Sequence, residues 1–181
     1  ANVQVCAVRG NFDDAQTGVK KIFAACADGA LPADAGVALS SANSINIGRL
    51  APQITYYFKA YADLLKRGVI KMGEKVNFSV PTGNFGDILA GFLAKRMGLP
   101  VGTLICASNA NNVLTDFIQT GTYDRRRPLH KTISPSMDIL VSSNLERLLY
   151  LMSGDANLVA SLMQQLNTEG FYTVPQELKE A

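Results

Sequence analysis

The chain has 181 residues, nearly half of them apolar, and a net charge of +2. That length supports one domain with a sizeable core, and interspersed charges without a basic stripe among aromatics exclude a nucleic-acid surface. Three cysteines and one histidine at no metal spacing exclude a His/Cys zinc set, and any His-dependent triad would have to be built on His130.

Val3 to Val8 is a β-rich run and is expected as a strand. Asp13 or Asp14 can then cap a helix with Val19, Ile22, Phe23 and Cys26 on its apolar face and Gly29 at its end. Val37 to Leu39 reads as a brief strand. Ser44 opens a longer helical region carrying Ile47, Leu50, Ile54, Tyr57, Phe58, Tyr61, Leu64 and Leu65 at helical spacing, closed by Gly68. Pro52 lacks a backbone donor, so a kink or a fresh helical start is expected there.

Next come a strand at Val76–Val80, a helix at Phe85–Met97 and a strand at Val101–Cys106. This alternation predicts an α/β fold in three layers, a mostly parallel sheet with helices on both faces. Asn112–Thr120 reads as a helix stopped by Gly121. Thr122–Ser136 is polar and proline-containing and reads as a long surface loop, with Arg125-Arg126-Arg127 solvated and His130 exposed. Ser143 to Glu146 has the spacing of a capping box ahead of Leu145, Leu148, Leu149 and Met152, and Asp155 starts a helix through Leu166. Thr173 as cap, Pro175 in the first turn and Glu177 signal a last helix.

No internal repeat, low-complexity tract or linker appears, so residues 1–181 read as a single α/β domain or partial domain. The chain opens already in a strand and its last helix signal stops within about two turns, the pattern of a piece excised from a longer polypeptide. Cys6, Cys26 and Cys106 sit in apolar neighbourhoods and read as reduced core residues, as in a cytoplasmic protein. No apolar run approaches the roughly 20 residues that span a bilayer, and no secretory leader is recognised.

The loop P-T-G-N-F-G-D, Pro81 to Asp87, links an apolar strand to a helix. The first N–H groups of a helix have no intrahelical partner, and Gly83 and Gly86 let an anion approach them. Asn84 adds an amide, and Phe85 can pack beneath the loop. Asp87 suits the positive end of the helix yet would repel a bound dianion unless its side chain turned away. The loop has neither G-x-G-x-x-G nor a lysine followed by Ser or Thr, which disfavours dinucleotide and Walker-type sites. On spacing alone an ordinary strand-to-helix turn fits equally well.

A second constellation is Ser41-Ala-Asn43-Ser44-Ile-Asn46-Ile-Gly-Arg49, where an extended segment turns into a helix. Asn43 and Ser44 suit either helix capping or anion binding. Arg49 has a fork that matches phosphate oxygens, or it makes a surface ion pair. Together with the glycine loop these residues would form two adjacent phosphate pockets.

The glycine loop, the following A-K-R-M-G-L-P and A-S-N-A-N-N, the upstream R-G-N-F-D-D-A-Q and S-A-N-S-I-N-I-G-R-L-A-P-Q, and the downstream S-P-S-M-D-I-L-V-S-S-N-L-E-R-L together resemble threonine synthase over nearly the whole chain. The resemblance implies a fragment of a fold-type II enzyme, with the tryptophan-synthase-beta-like fold and pyridoxal 5'-phosphate as cofactor. The implied reaction converts O-phosphohomoserine and water to threonine and inorganic phosphate. Residue by residue, it places the cofactor phosphate on Gly83, Asn84, Phe85 and Gly86, with Asp87 at the border. The substrate phosphate falls to Asn43, Ser44 and Arg49. Asn46, Asn109 and Asn111 either shape the pocket or cap neighbouring elements.

None of the nine lysines has the Phe and Asp flanks of the family's Schiff-base lysine. That lysine is expected outside this chain, which by itself would be inactive, and no catalytic or metal-binding residue is assigned. A homodimer is possible, since an apolar sheet edge or face exposed by excision favours association. Two alternatives stand beside this reading. One is a fragment of a cysteine-synthase-like or threonine-dehydratase-like enzyme, against which Arg49 and S-A-N-S-I-N discriminate. The other is a noncatalytic domain that binds phosphate esters.

Overall fold

The computed structural model describes residues 2–10, 12–27 and 39–181, and the chain divides after Ser40 into two units. In the first unit Phe12–Ala27 forms α1. The strand expected at Val3–Val8 does not form: the segment has no regular structure and pairs with no described strand, and Val5 is 93% exposed. β-propensity alone does not hold a strand without a ladder partner. Gly29 and most of Val37–Leu39 lie outside the described residues, and Leu39 itself has no regular structure.

The second unit opens with α2 (Ile47–Leu50), a 3-10 turn (Ala51–Gln53) and α3 (Ile54–Lys66). Pro52 sits in the 3-10 turn, so the helical region restarts there as its missing donor requires. Asn46, not Ser44, caps α2: its Oδ1 accepts from the Gly48 N–H at 2.9 Å. Gly68 ends α3 in the left-handed region at φ 68°, which costs glycine nothing for want of a Cβ.

β1 (Val76–Pro81), α4 (Gly86–Arg96) and β2 (Val101–Ala107) follow, with β1 and β2 paired in parallel and Phe78 opposite Leu104. Helix α4 is buried along Ile88, Leu89, Ala90, Gly91 and Ala94. Leu89 is 1% exposed, which stabilises the fold by about 1.5–3 kcal/mol relative to an exposed side chain. Tyr57 of α3 lies against α4, its hydroxyl donating to the Asp87 carbonyl at 2.8 Å and its ring edge-on to Phe78.

Parallel pairing among the described residues is confined to β1 and β2. Helix α5 (Val113–Thr120) ends at Gly121, as expected. The start of the predicted surface loop is instead β3 (Thr122–Asp124), antiparallel to β4 (Phe171–Thr173). Tyr123 and Tyr172 stack across this pair at 5.4 Å, and Phe117 of α5 meets both rings edge-on. The Tyr123 hydroxyl donates to the Leu140 carbonyl and accepts from the Ser142 N–H, both at 2.9 Å. This cluster therefore fixes residues 140–142, the last of which bonds the glycine loop at the Gly83 carbonyl.

Helix α6 spans Leu145–Ser153, α7 Ala156–Thr168 and α8 Gln176–Glu180. Asp155 caps α7 as expected, accepting from the N–H groups of Asn157 and Leu158. The capping box at α6 does not form, because the Ser143 hydroxyl turns to Asn84 Oδ1 at 3.3 Å and Asn144 takes the cap position without accepting from a backbone N–H of the helix. Thr173 does not cap α8; it belongs to β4, its hydroxyl paired with that of Thr122. The cysteines are free, but Cys6 is exposed and Cys26 and Cys106 are only half-buried, and Cys106 packs against the core.

Of the three arginines after β3, Arg126 is exposed as expected, while Arg125 and Arg127 are half-buried. Arg127 pairs with Asp116 at 2.7 Å, and Arg126 grips Asp124 with two nitrogens while lying over the Phe171 ring. Arg126 holds the Asp124 carboxyl down to about 2. A carboxyl depressed in the native state contributes stability above its unfolded value that is lost as pH falls toward the folded one. Thermal melts should therefore show Asp124→Asn losing less stability than the native chain between about pH 4 and pH 2. Equal acid sensitivity would show the pair to be energetically silent.

Candidate anion-binding site

Strand β1 delivers Thr82 to the loop with its N–H on the Ala107 carbonyl at 2.8 Å and its hydroxyl on the Val80 carbonyl at 2.7 Å. Phe85 then enters the left-handed region, φ 63° and ψ 9°, alone among the described non-glycine residues. That conformation costs about 1–2 kcal/mol, and burial of the Phe85 ring offsets it by a comparable amount. The turn launches α4. From Gly83 to Ile88 no backbone N–H donates to a described residue. These residues, with Ser44, Gln53, Ser136 and Met137, line a cavity of about 230 Å³. Unpaired donors at the positive end of an eleven-residue helix make a site for a phosphate-sized anion.

The turn into α6 braces the loop without lining the cavity. Ser142 Oγ donates to the Gly83 carbonyl, and the Asn144 N–H donates to the Asn84 carbonyl at 3.1 Å. Asn144 is fully buried. Its Nδ2 donates to Ser44 Oγ and to the Asn84 carbonyl, each at 2.9 Å, and so ties the Ser44 segment to the loop. Arg147 Nη1 donates to Asn144 Oδ1 at 2.6 Å and to the Ser44 carbonyl at 2.9 Å, and Nη2 donates to the Ile45 carbonyl.

No family model matches the chain. It is 51% identical over 176 residues to Threonine synthase-like 1 of Macaca fascicularis, covering 96% of the chain and 24% of that protein. It is 44% identical over 180 residues to the threonine synthase of Pseudomonas aeruginosa, covering 97% of the chain and 35% of the relative. The solved structure of PLP-bound threonine synthase from Brucella melitensis matches with a TM-score of 0.77 at 42% identity, over 96% of this chain and 35% of that one. The chain belongs to the threonine synthase family. It spans about a quarter to a third of the length of these relatives, and its α/β fold is that of threonine synthase over the matched residues.

Of the positions that the threonine synthase resemblance singled out, Gly83, Asn84, Phe85, Gly86, Asp87 and Ser44 converge on the cavity. Asn43 and Arg49 are not among its lining residues. Asn43 Oδ1 accepts from the Ile45 N–H and from Ser44 Oγ, which is turn chemistry. Arg49 is exposed on α2, and its guanidinium has neither the surface ion pair considered from sequence nor any bond to a described residue. Gln53 lines the cavity unforeseen, and none of the nine lysines does. Asp87 turns its carboxyl toward Tyr57, whose single hydroxyl proton lies between the Asp87 carbonyl at 2.8 Å and Oδ1 at 3.2 Å. Burial pushes its carboxyl above the usual value, and the Tyr57 bond partly offsets this.

Sequence reasoning misses Asn144 and Arg147, which lie in the S-S-N-L-E-R run that reads as capping chemistry. The one available signal was the three-residue spacing that sets Arg147 over Asn144 on one helical face.

Asn109 and Asn111 hold the wall rather than the ligand. Their Nδ2 groups donate to Asp138 Oδ1 at 2.8 and 3.0 Å, joined there by the Thr132 hydroxyl, while the Thr132 N–H donates to Oδ2 at 2.8 Å. Asn111 also exchanges two bonds with the backbone of His130, which is exposed as expected. Donation from Thr132, then from the two asparagines, keeps the Asp138 carboxyl below the usual range. This hub sets Ser136 and Met137 against the glycine loop. Asp138→Asn replaces an acceptor oxygen with a donor and should speed hydrogen exchange through residues 130–137. Unchanged exchange there would remove Asp138 as the anchor of that segment.

Proposed function

We propose that this chain is the phosphate-binding part of a cytoplasmic threonine synthase, a lyase that uses pyridoxal 5'-phosphate and converts O-phosphohomoserine and water to threonine and phosphate. The observation that carries this reading is the run of N–H groups from Gly83 to Ile88, bonded to no described residue, around the cavity that Ser44 also lines. The residues fit a phosphate group, because the acid among the lining residues, Asp87, has its carboxylate engaged by Tyr57. When bound, the cofactor supplies an aldehyde on an electron-withdrawing ring that stabilises negative charge developing at the substrate's α-carbon.

In this reading the N–H groups of Gly83 to Gly86 hold the cofactor phosphate, helped by the α4 dipole. Ser44 orients the substrate phosphate as a hydroxyl donor, with Asn43 shaping its turn. Arg49, whose guanidinium bonds to no described residue, completes the charge on that side. The buried Phe85 ring, beneath the loop, stiffens the cradle. No lysine lines the cavity, so the chain alone binds phosphate but does not turn substrate over.

Calorimetry with inorganic phosphate and with pyridoxal phosphate, followed by borohydride reduction and peptide mapping, tests both parts. Saturable binding of both compounds without a stoichiometric lysine adduct is expected. Failure of both to bind would overturn the anion site. A stoichiometric adduct on one lysine, or threonine formed by the chain alone, would overturn its inactivity.

A further inference from the structure

We propose that Arg147 and Asn144 are positioning residues that act through Ser44, orienting its hydroxyl proton toward a phosphate oxygen in the cavity. The proposal rests on the cavity being a phosphate site. Neither Arg147 nor Asn144 lines that cavity, so any influence on its ligand passes through the side chains they hold.

The order of the relay follows from donor and acceptor chemistry. A guanidinium only donates, so the Asn144 atom 2.6 Å from Arg147 Nη1 is the carbonyl oxygen. That fixes the amide's orientation at a fully buried position. Its NH2 group then points the other way, with Ser44 Oγ and the Asn84 carbonyl as its two short contacts at 2.9 Å and Ser143 Oγ at a longer 3.4 Å. Ser44 Oγ thus accepts from Asn144 and keeps its own proton to give. Among the described residues that proton has one acceptor, Asn43 Oδ1, at a long 3.3 Å, and that oxygen already accepts from the Ile45 N–H. A phosphate oxygen in the cavity offers a stronger acceptor.

Charge supports the same direction. Arg147 forms no ion pair with a described carboxylate; its partners are two backbone carbonyls and an amide oxygen. Its positive charge therefore polarises the chain guanidinium, amide, hydroxyl without being neutralised, and bonds in such a chain strengthen one another. The same guanidinium grips the Ser44 and Ile45 carbonyls, so backbone and hydroxyl are placed together.

A double-mutant cycle read by inorganic phosphate affinity separates this from a general effect of charge. Arg147→Met should weaken phosphate binding about 10-fold when Ser44 is present, and less than about 2-fold in a Ser44→Ala background. Arg147→Lys should recover part of the loss, because an ammonium still donates to Asn144 Oδ1. Additive losses, or no loss in Arg147→Met, would overturn the proposal while leaving the phosphate site intact. If the native chain binds no phosphate, the functional reading fails instead. NMR of the Asn144 side-chain amide reads the relay without ligand. It should exchange slowly in the native chain and rapidly in Arg147→Met, with α6 backbone protection retained. Fast exchange in the native chain would overturn the relay.

Discussion

Gly91→Ala should destabilise the 41–181 unit by about 1–3 kcal/mol, lowering its melting temperature by several degrees. A Cβ at position 91 would stand 2.6 Å from Tyr57 Cε1 and 2.7 Å from Cζ. The obstructing atoms belong to a rigid ring that is 4% exposed and pinned by its hydroxyl to Asp87, so nothing yields cheaply. Alanine's better helix propensity returns at most about 1 kcal/mol. Overpacking together with the strained Tyr57 bond outweighs it. Thermal melts of Gly91→Ala beside Gly18→Ala, where a Cβ meets open space, decide the matter. If both variants melt like the native chain, the seating of Tyr57 on α4 is not what holds these helices together.

Gly86→Ala should act on the site more than on the fold. Its Cβ would lie 2.7 Å from Ser44 Cβ and 2.8 Å from Ser44 Oγ. A serine side chain ordinarily moves aside at little cost, but Ser44 is held by Asn144 at its hydroxyl and by Arg147 at its carbonyl. The added methyl therefore pushes Ser44 out of the cavity or tilts the first turn of α4. Phosphate affinity should fall about 10-fold or more, the equivalent of one strong hydrogen bond. Gly83→Ala is the milder comparison, since its nearest contact is the flexible end of Ile139 at 3.0 Å. Equal phosphate affinity in Gly86→Ala and the native chain would show that the Ser44 side of the cavity does not hold the anion.

The central unit was legible in the sequence almost to the residue. Expected bounds of Val76–Val80, Phe85–Met97 and Val101–Cys106 meet observed ones of Val76–Pro81, Gly86–Arg96 and Val101–Ala107. Each of these elements carries its own apolar pattern and its own punctuation, so local physics suffices. The Pro52 restart and the Asp155 cap were readable for the same reason. β3 and β4 were not, because three-residue strands have no period of their own. They exist through the stacking of Tyr123 on Tyr172, which no local window contains.

The site divides along the same line. The sequence by itself determined the glycine loop that is proposed to hold an anion: glycines that let backbone approach a ligand, a helix to follow, and a family pattern that singles out these positions. It also placed Ser44 near that chemistry. Only the tertiary structure decided that Ser44 faces the cavity while Asn43 and Arg49 do not line it, and that Asn46 caps α2 in Ser44's place. It also turned the Asp87 carboxylate onto Tyr57 and drew Asn144 and Arg147 across roughly a hundred residues of chain to hold Ser44. The physical reason is that a polar side chain chooses among several nearly equivalent hydrogen bonds. Local spacing proposes those bonds, and burial against distant elements selects the one that is kept.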